Sequence, residues 1–145
     1  MDVDQIDTSL YTHIHFAFAD VTNDFNIDVS KVKEQFELFK AMSGVKRIIS
    51  FGGWDFSTLP GTFHILREAV KPANRDVFQK NLVAFVNEHN LDGVDLDWEY
   101  PGVCEFPSYF VARVGRTLPR LSLLTRENQR PPIFLTSLPA ILKMG

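Results

Sequence analysis

Residues 91–102 read LDGVDLDWEYPG and place four acids, Asp92, Asp95, Asp97 and Glu99, within otherwise apolar or small sequence. With a strand's period of two, Gly93, Asp95, Asp97 and Glu99 point to one face and Val94, Leu96 and Trp98 to the other. A solvated charge run has no such apolar reverse side. Side chains two apart on a strand sit about 7 Å from each other, so Asp97 is within reach of both Asp95 and Glu99. Three carboxylates in one row cannot all ionise cheaply, because repulsion and burial both favour the neutral acid. The row is therefore expected to hold at least one proton near neutral pH, with Glu99, its outermost member, as the candidate general acid.

Neighbouring carboxyls with split protonation are the usual equipment for protonating a glycosidic oxygen. Two plainer readings compete with this one. A surface strand conflicts with the alternating Val94, Leu96 and Trp98. A hard-cation site normally draws its oxygen ligands from an irregular loop and not from a regular strand.

These residues carry a resemblance. LDGVDLDWEYPG resembles the signature of glycoside hydrolase family 18, the chitinases, whose pattern Asp-x-x-Asp-x-Asp-x-Glu is matched by Asp92, Asp95, Asp97 and Glu99. SFGGW at residues 50–54 resembles the Ser-x-Gly-Gly element on the third strand of that family's (β/α)8 barrel. The run from THIHFAFAD through FKAMSGVKRIISFGGWDFSTLP is similar to fungal chitinases of the killer-toxin-like subgroup. The resemblance covers residues 11–102 and thins beyond them.

A (β/α)8 barrel takes about 250 residues, and this chain has 145. The expected fold is therefore α/β, a partial TIM barrel of roughly strands two to five with their helices, and residues 1–145 form part of one catalytic domain. The resemblance implies hydrolysis of β-1,4-linked N-acetylglucosamine with retention, assisted by the substrate's own acetamido group. Glu99 would be the general acid and base, Asp97 would orient the acetamido group, and Asp95 would share a proton with Asp97. Ser50 would support Asp95. Trp54, Gly53, Tyr100 and Phe18 would contact the sugar, and Asp92, on the opposite parity, would be structural. No metal or other cofactor is implied, and the ligand is chitin or a chito-oligosaccharide.

The family also uses a tyrosine on its sixth strand and a tryptophan on its eighth, neither of which half a barrel supplies. The isolated chain is accordingly expected to be inactive or very weak, with a non-catalytic chitin-binding fragment as the alternative. Open sheet edges invite self-association.

Composition sets the outer limits. At 45% hydrophobic and 12% aromatic the chain reads as globular and not as a disordered segment. A net charge of −3 offers no electrostatic case for nucleic acid or an anionic membrane surface. No apolar run approaches a membrane span, and Asp2, Asp4 and Asp7 sit where an export signal would carry a basic start and an apolar centre. An extracellular location is implied by the resemblance alone. The single cysteine, Cys104, excludes an intrachain disulfide and a cysteine-rich zinc site.

Along the chain, residues 11–19 alternate Ile14, Phe16 and Phe18 with His13, His15, Ala17 and Ala19, the pattern of a strand packed on both faces. His13 and His15 are too few for a metal site and are read as packed or hydrogen-bonded. Residues 20–29 are expected as a polar loop, with Ser30 capping a helix over 31–43 and Gly44 ending it. Val32, Phe36, Phe39 and Met42 give that helix one apolar stripe. Residues 46–51 form the next strand, with Ile49 and Phe51 toward the helices and Ser50 inward. A loop with a helical turn or two follows over 57–73. Asn74 caps a helix over 75–89 that buries Phe78, Leu82, Phe85 and Val86, and Asn90 ends it. Beyond the acidic strand, a helix over 108–118, a charged connector over 125–132 and a strand over 133–138 are expected.

Overall fold

The computed structural model describes residues 2–100, 122–125 and 140–143. In chain order it contains β1 (His13–Val21), β2 (Ile27–Asp28), α1 (Lys33–Ala41), β3 (Lys46–Gly52), α2 (Trp54–Thr58), α3 (Phe63–Ala69), α4 (Arg75–Glu88), β4 (Gly93–Asp97), β5 (Ser122–Thr125) and β6 (Ala140–Lys143). Strands β1, β3, β4 and β5 lie side by side and parallel, with α1 crossing from β1 to β3 and α2 to α4 crossing from β3 to β4. This is the wall of a partial (β/α)8 barrel.

The apolar stripes read from the sequence make the core. Phe16, Phe36, Phe39, Phe51 and Phe78 are fully buried, each contributing about 1.5–3 kcal/mol by removal from water. Phe16 packs edge-on against Phe36 at 5.6 Å and meets Phe39 at 5.1 Å, and Phe36 reaches Phe85 at 5.7 Å. Rings from β1, α1 and α4 thus lock the first crossover to the second. Ile49, Phe51, Val94, Leu96 and Trp98 join the same cluster, which turns Ile48, Ser50, Asp95 and Asp97 to the opposite face of the sheet.

Several local expectations are corrected. Residues 20–29 are not simply a loop: β1 continues through the buried Val21 and turns back as a hairpin, pairing Asp20 with Asp28 and Val21 with Ile27. The turn closes because Thr22 N–H donates to Asn26 O and Phe25, at φ 63°, donates to Thr22 O. Ser30 does not cap α1. Its own N–H is taken by Asp28 Oδ1 at 2.8 Å, a short 3-10 turn Ser30–Val32 follows, and the α-helix begins at Lys33. Gly44 is left-handed, at φ 79°, but lies in the turn to β3, because the chain leaves α1 at Met42, whose side chain packs on the core.

Asn74 occupies the N-cap position of α4, yet its Nδ2 donates to Glu68 O at 2.9 Å and so fastens α4 to the end of α3. Asn90 does end the α4 segment, at φ 50°, with Leu91 N–H donating to Val86 O.

The strand beside β4 is β5, where the sequence reading had no strand, and β6 pairs in parallel with β1 over Ile14–Ala17. The β1 edge expected to be open is therefore partly covered. The predicted helix over 108–118, the strand over 133–138, most of the connector over 125–132 and Cys104 lie outside the described residues.

At the amino ends of the central strands Asp92 ties the start of β4 to β3. Its Oδ2 accepts from Arg47 N at 3.0 Å and its Oδ1 from Lys46 Nζ at 2.9 Å, while Asp92 N–H donates to Arg47 O. Burial by itself would raise this carboxyl, but the Arg47 amide, the Lys46 hydrogen bond and the two positive charges outweigh burial and hold it below its ordinary 3.8. A group lowered on folding contributes stability above its unfolded value, and that contribution is lost as pH falls through the folded one. Asp92→Asn should cost about 1–2 kcal/mol at neutral pH and flatten the dependence of stability on pH below 3.8. Urea unfolding of both proteins across that range checks it, and parallel curves would refute it.

Candidate active site

The acidic strand sits centrally, between β3 and β5, and registers Ser50 with Asp95 and Gly52 with Asp97. Asp95 and Asp97 are buried, at 4% and 5% exposure. Ser50 Oγ donates to Asp95 Oδ2 at 3.0 Å, the pair of residues that the resemblance joins. The same oxygen lies 3.0 Å from Nδ1 of His15, which is buried on β1. His15 is therefore hydrogen-bonded, as read, but its partner, 80 positions along the chain, was not foreseen. His13, half-buried, turns its Nδ1 to Thr12 Oγ1.

Glu99 lies two residues beyond the end of β4 and is half-buried. Its backbone N–H donates to Ser57 Oγ at 3.0 Å. Ser57 is buried on α2, a helix the sequence reading missed, where it assigned a loop from residue 57 onward. That helix starts directly after Gly53 because Ser57 N–H and Leu59 N–H find Gly53 O and Asp55 O, and Pro60 then stops it. The link between α2 and the β4 end is doubled by Gly53 N–H, which donates to Asp97 O at 2.7 Å. No sequence pattern marks Ser57. A small hydroxyl residue becomes a tether only once the β3–α2 turn folds over the neighbouring strand.

The residues expected to meet a sugar divide. Trp54 and Tyr100 are 60% and 53% exposed, both at the carboxyl ends of their strands. Phe18 is half-buried: a register shift between Ala17 and Ala19 takes it out of the Ile14–Phe16 alternation. Its ring stands against Gly53, where an added Cβ would lie 2.9 Å from Phe18 Cε2. Gly53 itself, at φ 81°, commits its N–H to Asp97. The peptide bonds Ala17–Phe18 and Glu99–Tyr100 are both cis.

Two buried strand acids, one held by a serine and a histidine, thus lead to a half-buried glutamate at the carboxyl edge. A half-buried carboxyl at such an edge is the kind of group that general acid catalysis uses.

Comparison with known proteins agrees on the fold and on the family. A profile described as Glycosyl hydrolases family 18 matches residues 2–138. The chain is 50% identical over 108 residues to a protein of Penicillium expansum named secreted chitinase LysM12, a match covering 73% of this chain and 7% of that protein. It is 48% identical over 103 residues to the killer toxin subunits alpha/beta of Kluyveromyces lactis, covering 70% of this chain and 9% of that protein. The chain therefore spans less than a tenth of these fungal relatives. Among solved structures, the Ostrinia furnacalis Group IV chitinase superposes with a TM-score of 0.67 at 23% identity, over 85% of this chain and 38% of that one.

Proposed function

The chain belongs to the glycosyl hydrolases of family 18, and from that premise we propose that it carries the acid machinery of a chitinase. The substrate is β-1,4-linked N-acetylglucosamine, in chitin or its oligosaccharides, and cleavage proceeds with retention through participation of the substrate's acetamido group. Glu99 protonates the leaving oxygen and afterwards activates water. Asp97 orients the acetamido group and balances the charge of the ring that forms, and Asp95 shares a proton with Asp97. Trp54 and Tyr100 offer exposed aromatic faces to sugar rings. No metal or organic cofactor takes part, and the site of action is extracellular, as the name of the Penicillium relative states for that protein.

The observation that carries this reading is the run Asp95, Asp97, Glu99 leading from buried strand to open edge, with Asp95 gripped by Ser50. A second reading, binding without cleavage, draws on the partial barrel and the exposed aromatic residues.

One experiment separates the two: the purified 145-residue chain is tested for release of product from chito-oligosaccharides and for retention on chitin beads. Cleavage giving the β-anomer supports the first reading. Retention without cleavage supports the second, and neither would overturn both. In either case Trp54→Ala should weaken retention by about 1–2 kcal/mol, roughly five- to thirtyfold, and unchanged retention would remove Trp54 from the binding surface.

A further inference from the structure

His15 is an ionisable side chain at 2% exposure, with one ring nitrogen engaged and the other without a hydrogen-bond partner among the described residues. Asp95 has the same asymmetry. Its Oδ2 lies 3.0 Å from both His15 Nδ1 and Ser50 Oγ, whereas its buried Oδ1 has no hydrogen bond among the described residues. Two polar groups from two different strands converge on one oxygen of the first acid in the row.

The register explains how a residue far from the acidic motif arrives there. Ala17, Ser50 and Asp95 share one row across the sheet, and His15, Ile48 and Gly93 share the row one inward-facing step below. Ala17 carries only a methyl group and Gly93 no side chain, so neither fills the space through which the imidazole rises to the carboxyl.

Three proton placements satisfy the distances: an imidazolium against a carboxylate leaves Nε2–H a buried donor with no acceptor, and two others keep the ring neutral. In one of these two, Nδ1–H donates to Asp95 Oδ2 and Nε2 is a bare lone pair. In the other, Asp95 carries a proton on Oδ2, Nδ1 accepts it, and Nε2–H is a buried donor with no acceptor. An orphaned buried N–H is the rarer and costlier condition, which favours the placement with Nε2 bare.

We propose that His15 is a positioning residue of the acid row. It donates Nδ1–H to Asp95 Oδ2 and, together with Ser50, fills both lone pairs of that oxygen, so that any proton Asp95 carries resides on Oδ1. The row thereby acquires a direction: Oδ1–H is the one donor Asp95 can present, and Asp97 is the next carboxyl along the same face. This rests on the reading of Asp95 as a proton-sharing member of the row.

Long-range 1H–15N correlation spectra of the 15N-labelled chain, taken at about pH 8, above the range in which an ordinary imidazole is charged, test the assignment. His13, His64 and His89 are the other histidines, and the His15 pattern is identified as the one missing from His15→Asn. The expected result is a protonated Nδ1 and an unprotonated Nε2. Asp95→Asn should keep that pattern, because its amide oxygen takes the place of Oδ2 and its NH2 the place of Oδ1–H. Asp95→Leu, with no acceptor, should abolish the preference.

Protonation of Nε2, alone or with Nδ1, would overturn the proposal. So would a switch to Nε2–H in Asp95→Asn, or a pattern indifferent to Asp95→Leu. The spectra need no turnover. A chain with the expected tautomer that neither cleaved nor bound chito-oligosaccharides would therefore count against the functional reading and not against the His15–Asp95 assignment.

Discussion

Glu99→Gln lowers hydrolysis of a fluorogenic chito-oligosaccharide by about two to four orders of magnitude relative to the unaltered chain, the share that a positioned general acid ordinarily contributes. Glutamine matches glutamate in size and leaves the backbone bond from Glu99 N–H to Ser57 Oγ untouched, so the loss reports on the proton and not on the fold. The starting rate is itself expected to be small. We expect the 145-residue chain to turn over far more slowly than a whole enzyme of its family, because the described strands form only part of a barrel and the resemblance places further site residues on a sixth and an eighth strand.

Asp97→Asn is the necessary companion to Glu99→Gln. If Asp97 were the acid, its asparagine variant would be dead and the Glu99 variant would retain the parent rate, and that pattern would sink the assignment. A chain folded by circular dichroism, with no turnover in any of the three proteins, would leave only the binding reading.

Gly52→Ala is the second large effect, and it acts on the scaffold. Gly52 sits at the carboxyl end of β3 with φ 107°, and a Cβ there would lie 2.4 Å from Asp97 O and 2.9 Å from Asp97 C. Both are backbone atoms of the neighbouring strand. They cannot move aside without opening the β3–β4 ladder, whose last pair is Gly52 with Asp97, and the same carbonyl holds Gly53 N–H at 2.7 Å. Backbone strain and overpacking together put the cost at about 3–5 kcal/mol, a large part of the 5–15 kcal/mol that stabilises a typical domain. Urea unfolding measures it. Gly61→Ala is the control, since a Cβ there meets nothing within 4 Å, and its midpoint should stay close to the parent's. A loss below about 1 kcal/mol in Gly52→Ala would mean that the two strands separate more easily than the geometry allows.

What could be read in advance follows from short-range periodicity. Alternation every second residue put Asp95 and Asp97 on one face and Val94, Leu96 and Trp98 on the other, and it turned Ser50 away from Ile49 and Phe51. Helical spacing found the buried Phe36 and Phe39 of α1 and the Phe78, Leu82, Phe85 and Val86 of α4. These patterns are legible because a side chain's facing depends only on its position within its own element.

Where the local rules failed, a partner from elsewhere had won the group concerned. Ser30 loses the capping role to Asp28, and the Asn74 side chain turns to Glu68 O instead of capping α4. Phe18 leaves its alternation at the register shift in β1 and comes to rest on Gly53. The sequence by itself determined the facing of the residues in β3 and β4, the course of α1 and α4 and that the acids form one row. Only the tertiary structure decided that His15 and Ser50 meet on one oxygen of Asp95, that Ser57 holds the backbone of Glu99, and that β5 and β6 are the outer strands beside β4 and β1. Those contacts join residues tens of positions apart, and their pairing is set by strand register and by competition for buried hydrogen-bonding groups, neither of which leaves a periodic mark in the chain.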